Sequence, residues 1–557
     1  MKYLSKILLS GALVASLVAC NKQPQEAQVQ NTEPEEVKMI KEKLAAFADV
    51  EISADLSNLT EKEKKIVELL CKAARLADNI FWKQSSPDAI AVRDSLAKLG
   101  TPYALDLVKF VNINYGPYEV LQDNERFVGN GPKVKNKAAN FYPQDMTAEE
   151  FEKYIAAHPE QEAELKSQYT VVKRDGDKLV AVPFYKEYPE VEEIAKLLDE
   201  AATYAEDKNL KRYLTLRAKA FRTDDYFESD MAWMDMVGTN IETVIGPIEN
   251  YLDGLFNYKT AWECCVLVKD VEATKELQVL KQHIDALEQN LPYDKKYIRK
   301  SAGGLGNDLS ILNVAYFAGD FQQGSKTVAT SLPNDPIVAQ KKGAKKLMFK
   351  NMMEAKFDKI VLPISKILMA EEDYKHVAKE AFTSFVTLHE ISHTLGRGFV
   401  FGNDKLSVRA GMKDLYSIIE ETKADILSMY NHAYLIKIGV YPKDYMKTAE
   451  ATYLAGLFRS MRFGKGEAHG GANYIQFNFL RKNGAIEFKN GKFRIVQDKF
   501  MEQVAALAKL VLTVEAEGDY AGAKKIVDTY CVDTEEIKTA FMNVQSVPTD
   551  LNTRYKF

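Results

Sequence analysis

Residues 381 to 398 read AFTSFVTLHEISHTLGRG, an apolar run with helical spacing closed by two glycines, and it contains His389-Glu390-Ile391-Ser392-His393. Residues four apart on a helix lie one above the other, so both imidazoles face one point while Glu390 sits one step round. Such a pair can hold one ion, with the glutamate in reach of its water. Two histidines at this spacing can also be hydrogen-bonded structural residues. With 7 histidines in 557 residues, however, a chance His-Glu-x-x-His would be rare. Zinc that activates water takes three protein ligands and keeps one position open, so a third ligand must come from elsewhere.

Downstream, residues 415 to 430 read LYSIIEETKADILSMY, again helical, with Glu421 and Asp425 on one face. Glu421 would complete a His389, His393, Glu421 site for one zinc ion. Glu420 and Asp425 could accept the outer N–H groups of the two histidines and so fix their rings. Spacing alone does not decide this, because Glu-x-x-x-Asp is also common on solvated helix faces.

The chain around these helices is long for a single core, which favours two lobes with a cleft. Apolar residues make up 46% and charged residues 27%, and the net charge of -5 gives no footing for nucleic acid. A short basic cluster, Lys341, Lys342, Lys345 and Lys346, reads as a solvated helix face or turn. Lys2 and Lys6 precede an apolar run from Ile7 to Val18, followed by Ala19-Cys20. The run is too short to span a bilayer and resembles a bacterial lipoprotein signal, residues 1–19, with lipidation at Cys20. Residues 20–37 are rich in Gln, Glu and Pro, as a flexible tether would be. The expectation is an exported lipoprotein of the cell envelope, held at a membrane through Cys20. The remaining cysteines, Cys71, Cys264, Cys265 and Cys531, show no metal-ligand spacing and are expected to be free thiols.

Helical periodicity marks 66–82, 147–157, 190–205, 208–221 and 275–291. Strands are expected at 169–173 with 178–182, at 263–269, at 327–331, and at 487–495 across Asn490-Gly491.

From Ile66 to the C-terminus the chain resembles the dipeptidyl peptidase III family. Glu420-Glu421-Thr422-Lys423-Ala424-Asp425 fits that family's EExxxD motif, which implies Glu421 as third ligand. Its IGxIExY motif is similar to residues 245–251, implying Tyr251 as a hydroxyl donor to the scissile carbonyl and Glu249 as partner of the substrate's amino terminus. His469, in Gly466-Glu467-Ala468-His469-Gly470-Gly471-Ala472-Asn473, would stand beside the developing oxyanion. Asn334, in Ser331-Leu332-Pro333-Asn334, would hold the substrate backbone near its amino terminus. Two departures limit the transfer. Typical members have HExxxH, whereas the five-residue form here belongs to a divergent branch that includes proteins fused to nudix domains. Asn473 also stands where typical members carry an arginine, so an anchor for the substrate carboxylate is expected to be missing.

The resemblance implies an α+β, predominantly helical fold of two lobes with a cleft. A mixed lobe with a small β-barrel-like sheet takes residues 38–272, joined by 310–360 and 512–557. A helical zinc-bearing lobe takes 273–309 and 361–511. The activity implied is zinc-dependent removal of N-terminal dipeptides from short peptides, with Glu390 as general base. The alternatives are a zinc aminopeptidase or endopeptidase of broader specificity, or a peptide- or nutrient-binding surface lipoprotein.

Overall fold

The computed structural model describes residues 34–302 and 308–557. The expected signal at 1–19, Cys20 and the expected tether up to residue 33 lie outside the described residues. The chain divides between Met39 and Ile40, and the fold is that of Ile40–Phe557. The helix Glu35–Ala45 begins inside the segment read as a tether.

Within Ile40–Phe557 the fold is predominantly helical around one mixed sheet. The sheet has five strands: β1 (Ile241–Glu249), β2 (Ala261–Lys269), β3 (Asp308–Gly319), β4 (Ala329–Leu332) and β5 (Lys345–Phe349). Their order is β1-β2-β3-β5-β4, with β3 and β5 parallel and every other pair antiparallel. The pairing is open, with β1 and β4 at the edges, where the resemblance implied a barrel-like sheet. The edges nevertheless approach at one end, since Asn334 Nδ2, just past β4, donates to Ile248 O of β1 at 3.3 Å.

Helix α1 (Glu61–Ser85) starts at a capping box in which Thr60 and Glu63 exchange hydrogen bonds. It packs across β2 and β3, where its buried Ala73, Ala74 and Ala77 let helix and sheet backbones come close. At the end of β3 the strands are closer still. Gly319 has φ +66°, and a Cβ there would lie 2.1 Å from Trp262 O, so no other residue fits without displacement.

The helical half is built around α3, and its elements are α2 (Lys379–Ser392), α3 (Tyr416–Lys437), α4 (Tyr445–Met461), α5 (Ala468–Lys482) and α6 (Gln497–Glu517). All four others pack against α3. It is accordingly buried nearly all round, and Glu420, Lys423 and Asp425 lie inside the core.

The sheet holds the main differences from the sequence reading. β1, β3 and β5 were not foreseen. β2, expected at 263–269, is buried from Ala261 to Val268; Gly246-Pro247 interrupts the pattern of β1, and two lysines open β5. Lys345 and Lys346, taken as solvated, belong to β5. Strand alternation sends Lys345 into the core, where Nζ donates to Glu242 at 2.9 Å and to Met236 O at 2.7 Å. The strand expected at 327–331 lies at Ala329–Leu332. The helix expected at 275–291 is broken at His283 (φ -101°, ψ 0°) into Val271–Gln282 and Ile284–Gln289. Cys71, Cys264, Cys265 and Cys531 are free thiols.

The C-terminal strand Asp550–Tyr555 pairs in parallel with Phe47–Ile52. Buried Asp550 anchors it, accepting from Lys356 Nζ at 2.9 Å and Ser325 Oγ at 2.6 Å. Burial opposes ionisation of Asp550, but the Lys356 ammonium, together with hydrogen bonds from Ser325 and the Leu551 N–H, holds the carboxyl below its ordinary value. Asp550→Ala leaves the Lys356 ammonium buried with the Lys326 carbonyl but without its counter-charge and should cost roughly 3–5 kcal/mol in denaturant unfolding. Because the folded pKa is depressed, the stabilisation is present above the unfolded pKa of about 3.9. It is lost as pH falls through the folded value, so the gap between wild type and variant should narrow below about pH 4.

Candidate active site

Helix α2 delivers the His-Glu-x-x-His run at its C-terminal end. His393 is the capping residue, still helical at φ -58°, ψ -27°, and its N–H donates to His389 O at 3.2 Å. The i, i+4 stacking therefore survives to the end of the helix. His389 Nε2 and His393 Nε2 lie 3.1 Å apart. From α3, Glu421 Oε2 comes within 3.3 Å of the first and 3.7 Å of the second. Donor atoms about 2.0–2.2 Å from a tetrahedral ion are separated by about 3.3–3.6 Å.

The outer ring nitrogens are occupied from behind. His389 Nδ1 meets Asp425 Oδ1 at 2.7 Å, and His393 Nδ1 meets Glu420 Oε1 at 2.8 Å. Each carboxylate holds its ring with the Nε2 lone pair aimed at the common centre. Two imidazole nitrogens at 3.1 Å repel unless a proton or a metal cation lies between them. Glu421 Oε2, moreover, is buried without a hydrogen-bond partner although imidazole nitrogens surround it. A metal ion answers both features, and a set of two imidazoles and one carboxylate suits zinc.

A third histidine reaches the same oxygen. His469, in the first turn of α5, places Nδ1 3.2 Å from Glu421 Oε2. The ligand atoms of His389, Glu421 and His469 all lie within 4.8 Å of one another. The geometry thus offers two triads sharing His389 and Glu421, which differ in His393 or His469. His393 carries a carboxylate on its outer nitrogen, whereas the His469 side chain is half exposed.

The entry of α5 depends on its glycines. A Cβ on Gly470 would lie 2.0 Å from Gly464 O, and one on Gly471 would lie 2.4 Å from Ile418 Cδ1 of α3. Glu467 caps the helix by accepting from Gly470 N at 2.7 Å.

Electrostatics follow from burial and these partners. Burial opposes ionisation of Glu421, but His389 and His469 outweigh it and hold the carboxyl far below its usual range. Burial likewise opposes ionisation of Glu390, and His389, Lys346 and His393 outweigh it. For Glu420, Lys423 and His393 do the same.

Several participants were not foreseen. Lys423 Nζ donates to Glu420 at 2.8 Å. Asp425 Oδ2 accepts from Asn473 Nδ2 at 2.9 Å and from Gln476 Nε2 at 3.0 Å. Asn473, read as the place of a missing carboxylate anchor, is buried and also donates to His469 O at 2.8 Å. Its role here is to brace Asp425 and the first turn of α5. Asn473 and Gln476 fall three apart on one face of α5, the only trace they leave in the sequence. Lys346 Nζ contacts Glu390 at 3.2 Å.

The remaining candidates gather at the sheet. Glu249 ends β1 and lies beside Asn334, whose side chain partly offsets the rise in its pKa caused by burial. Tyr251, in the following turn, is 78% exposed. Its hydroxyl pKa is raised, chiefly by Glu249. It makes no hydrogen bond to the histidine cluster among the described residues.

Fold and site together define a metal-dependent peptidase. Residues 131–432 match the sequence profile of peptidase family M49, and the chain belongs to that family. It is similar to Nudix hydrolase 3 of Arabidopsis thaliana, 30% identical across 94% of this chain and 75% of the relative. It is also similar to dipeptidyl peptidase 3 of Dictyostelium discoideum, 25% identical across 37% of this chain and 28% of the relative. Among solved structures, DPP III from Caldithrix abyssi superposes with a TM-score of 0.88 at 41% identity, covering 93% of this chain and 99% of its own. Dipeptidyl-peptidase III from Corallococcus sp. strain EGB gives 0.75 at 34% identity, covering 93% and 97%. The likeness to these structures supports the two-lobed architecture.

If Asp425 orients His389 through its outer nitrogen, Asp425→Asn should weaken metal binding about 10- to 100-fold. Titration of the apoprotein against a competing chelator measures this, with unfolding followed in parallel to separate loss of metal from loss of fold.

Proposed function

We propose that the protein is a zinc-dependent dipeptidyl peptidase acting on short peptides, with His389, His393 and Glu421 as ligands to one zinc ion. The observation that carries this reading is the convergence of the two Nε2 atoms and Glu421 Oε2 at 3.1–3.7 Å, with a carboxylate behind each ring. That bracing favours His393 over His469 as the third donor. It leaves His469 free to donate a proton to a developing oxyanion.

When bound, zinc would acidify a water and polarise the peptide carbonyl. Glu390, one step round the helix, takes the proton of the attacking water and passes it to the leaving amine. Glu249 and Asn334 hold the substrate's amino terminus, which sets the cut two residues in. β4 is an edge strand with one side unpaired, and a peptide added there gains main-chain hydrogen bonds whatever its side chains. For Tyr251 to reach the scissile carbonyl, its turn must approach the cluster once peptide is bound.

The names of the two solved relatives support the dipeptidyl specificity. A quarter of the Arabidopsis protein lies outside the match, which leaves room there for the activity its name carries. We also place the protein in a bacterial cell envelope, tethered by lipid at Cys20. The basis is the charged start, the short apolar run and Ala19-Cys20.

Mass spectrometry of defined peptides incubated with the zinc-loaded chain tests the activity. Release of N-terminal dipeptides, abolished by a chelator, restored by zinc and lowered at least about 100-fold in Glu390→Gln, is the expected result. Single residues or internal cuts would replace the specificity with that of an aminopeptidase or endopeptidase. No cleavage at all would leave a peptide-binding lipoprotein.

A further inference from the structure

Neither the family motifs nor the zinc ligands account for Lys346. β5 sends neighbouring side chains to opposite faces. Lys345 is fixed on one face by Glu242 and Met236 O. A one-residue slip would exchange the two lysines, so the buried pair of Lys345 sets the direction of Lys346. Lys346 lies opposite Ser331 of β4 and Leu309 of β3 and extends to the end of α2. There its Nζ lies 3.2 Å from Glu390 Oε2 and 3.2 Å from Glu390 O. This carbonyl belongs to the last turn of the helix, where main-chain acceptors lose their partners. Thr394 N–H turns back to Ile391 O at 2.9 Å.

We propose that Lys346 is a positioning residue for Glu390. Its ammonium grips the side chain and the main chain of one residue at once and so fixes the direction of the carboxylate relative to the helix. Oε2 is held from the sheet side while Oε1 is left for the attacking water. The two side chains are 24% and 19% exposed, so the pair is partly buried, and its Coulomb gain is offset in part by the cost of desolvating both charges. Its value lies in placement, because proton transfer requires the base within hydrogen-bond reach of its proton. The contact also ties the base to the strand next to edge strand β4, so a peptide aligned on that edge is aligned on a strand in register with the residue holding the base. The inference rests on Glu390 being the general base.

The test compares Lys346→Met, Lys346→Arg, Glu390→Gln and the Lys346→Met/Glu390→Gln double variant, measuring kcat, KM, bound zinc and melting temperature. Lys346→Met should lower kcat on the order of 10- to 100-fold, with KM, zinc content and melting temperature close to wild type. Lys346→Arg should recover most of the loss, and the double variant should be no slower than Glu390→Gln. A Lys346→Met enzyme within twofold of wild-type kcat, one that loses zinc, or independent losses that multiply in the double variant would each overturn the proposal. Full activity in Glu390→Gln would instead overturn the general-base reading.

Discussion

Helices α2 and α3 are held face to face by two carboxylate–imidazole contacts, Asp425 to His389 at 2.7 Å and Glu420 to His393 at 2.8 Å. These contacts bring charge into the middle of a helical core. Taking carboxylates out of water costs several kcal/mol each unless they are paired. Each one here has a partner. Lys423 and His393 share Glu420, while His389, Asn473 and Gln476 share Asp425. Glu421 keeps a buried oxygen without a hydrogen-bond partner, and that oxygen faces the two imidazole nitrogens. The packing of α5 on α3 follows from the same need, because Asn473 and Gln476 must reach Asp425. Gly470 and Gly471 allow that approach.

The sheet reaches this centre through adjacent residues of one strand. Lys345 is buried against Glu242, and Lys346 extends to Glu390. A strand with lysines on both faces is costly, and the compensation differs on the two sides. Lys345 is fully desolvated and held in an ion pair that pins the register. Lys346 remains partly open, against the carboxylate assigned to proton transfer. Sheet and site are therefore joined by placement rather than by apolar burial alone.

What could be read in the sequence follows the range of each interaction. The spacing of His389 and His393, like that of Glu421 and Asp425, is local, because helix geometry alone puts such residues on one face. The hairpin expected at 169–173 with 178–182 was legible for the same reason, and it forms between Thr170–Asp175 and Lys178–Pro183. Strands β1, β3 and β5 were not: Gly246-Pro247 interrupts β1, β3 lacks strict alternation and β5 opens on two lysines, whereas β2, buried along almost its whole length, was legible at 263–269. Lys346, Asn473 and Gln476 were invisible as parts of the site because their partners lie 44, 48 and 51 residues away. Tyr251, His469, Glu249 and Asn334 came from family resemblance. Of these, His469 stands at the cluster and Glu249 with Asn334 forms a separate group beside the sheet.

The position of the metal decides most directly between the two triads. A crystal of the zinc-soaked protein, with anomalous scattering recorded at the zinc edge, locates the ion without reference to activity. One peak about 2.0–2.2 Å from His389 Nε2, His393 Nε2 and Glu421 Oε2 is the expected result. A peak bound by His469 in place of His393, or no peak at this cluster, would contradict the assignment.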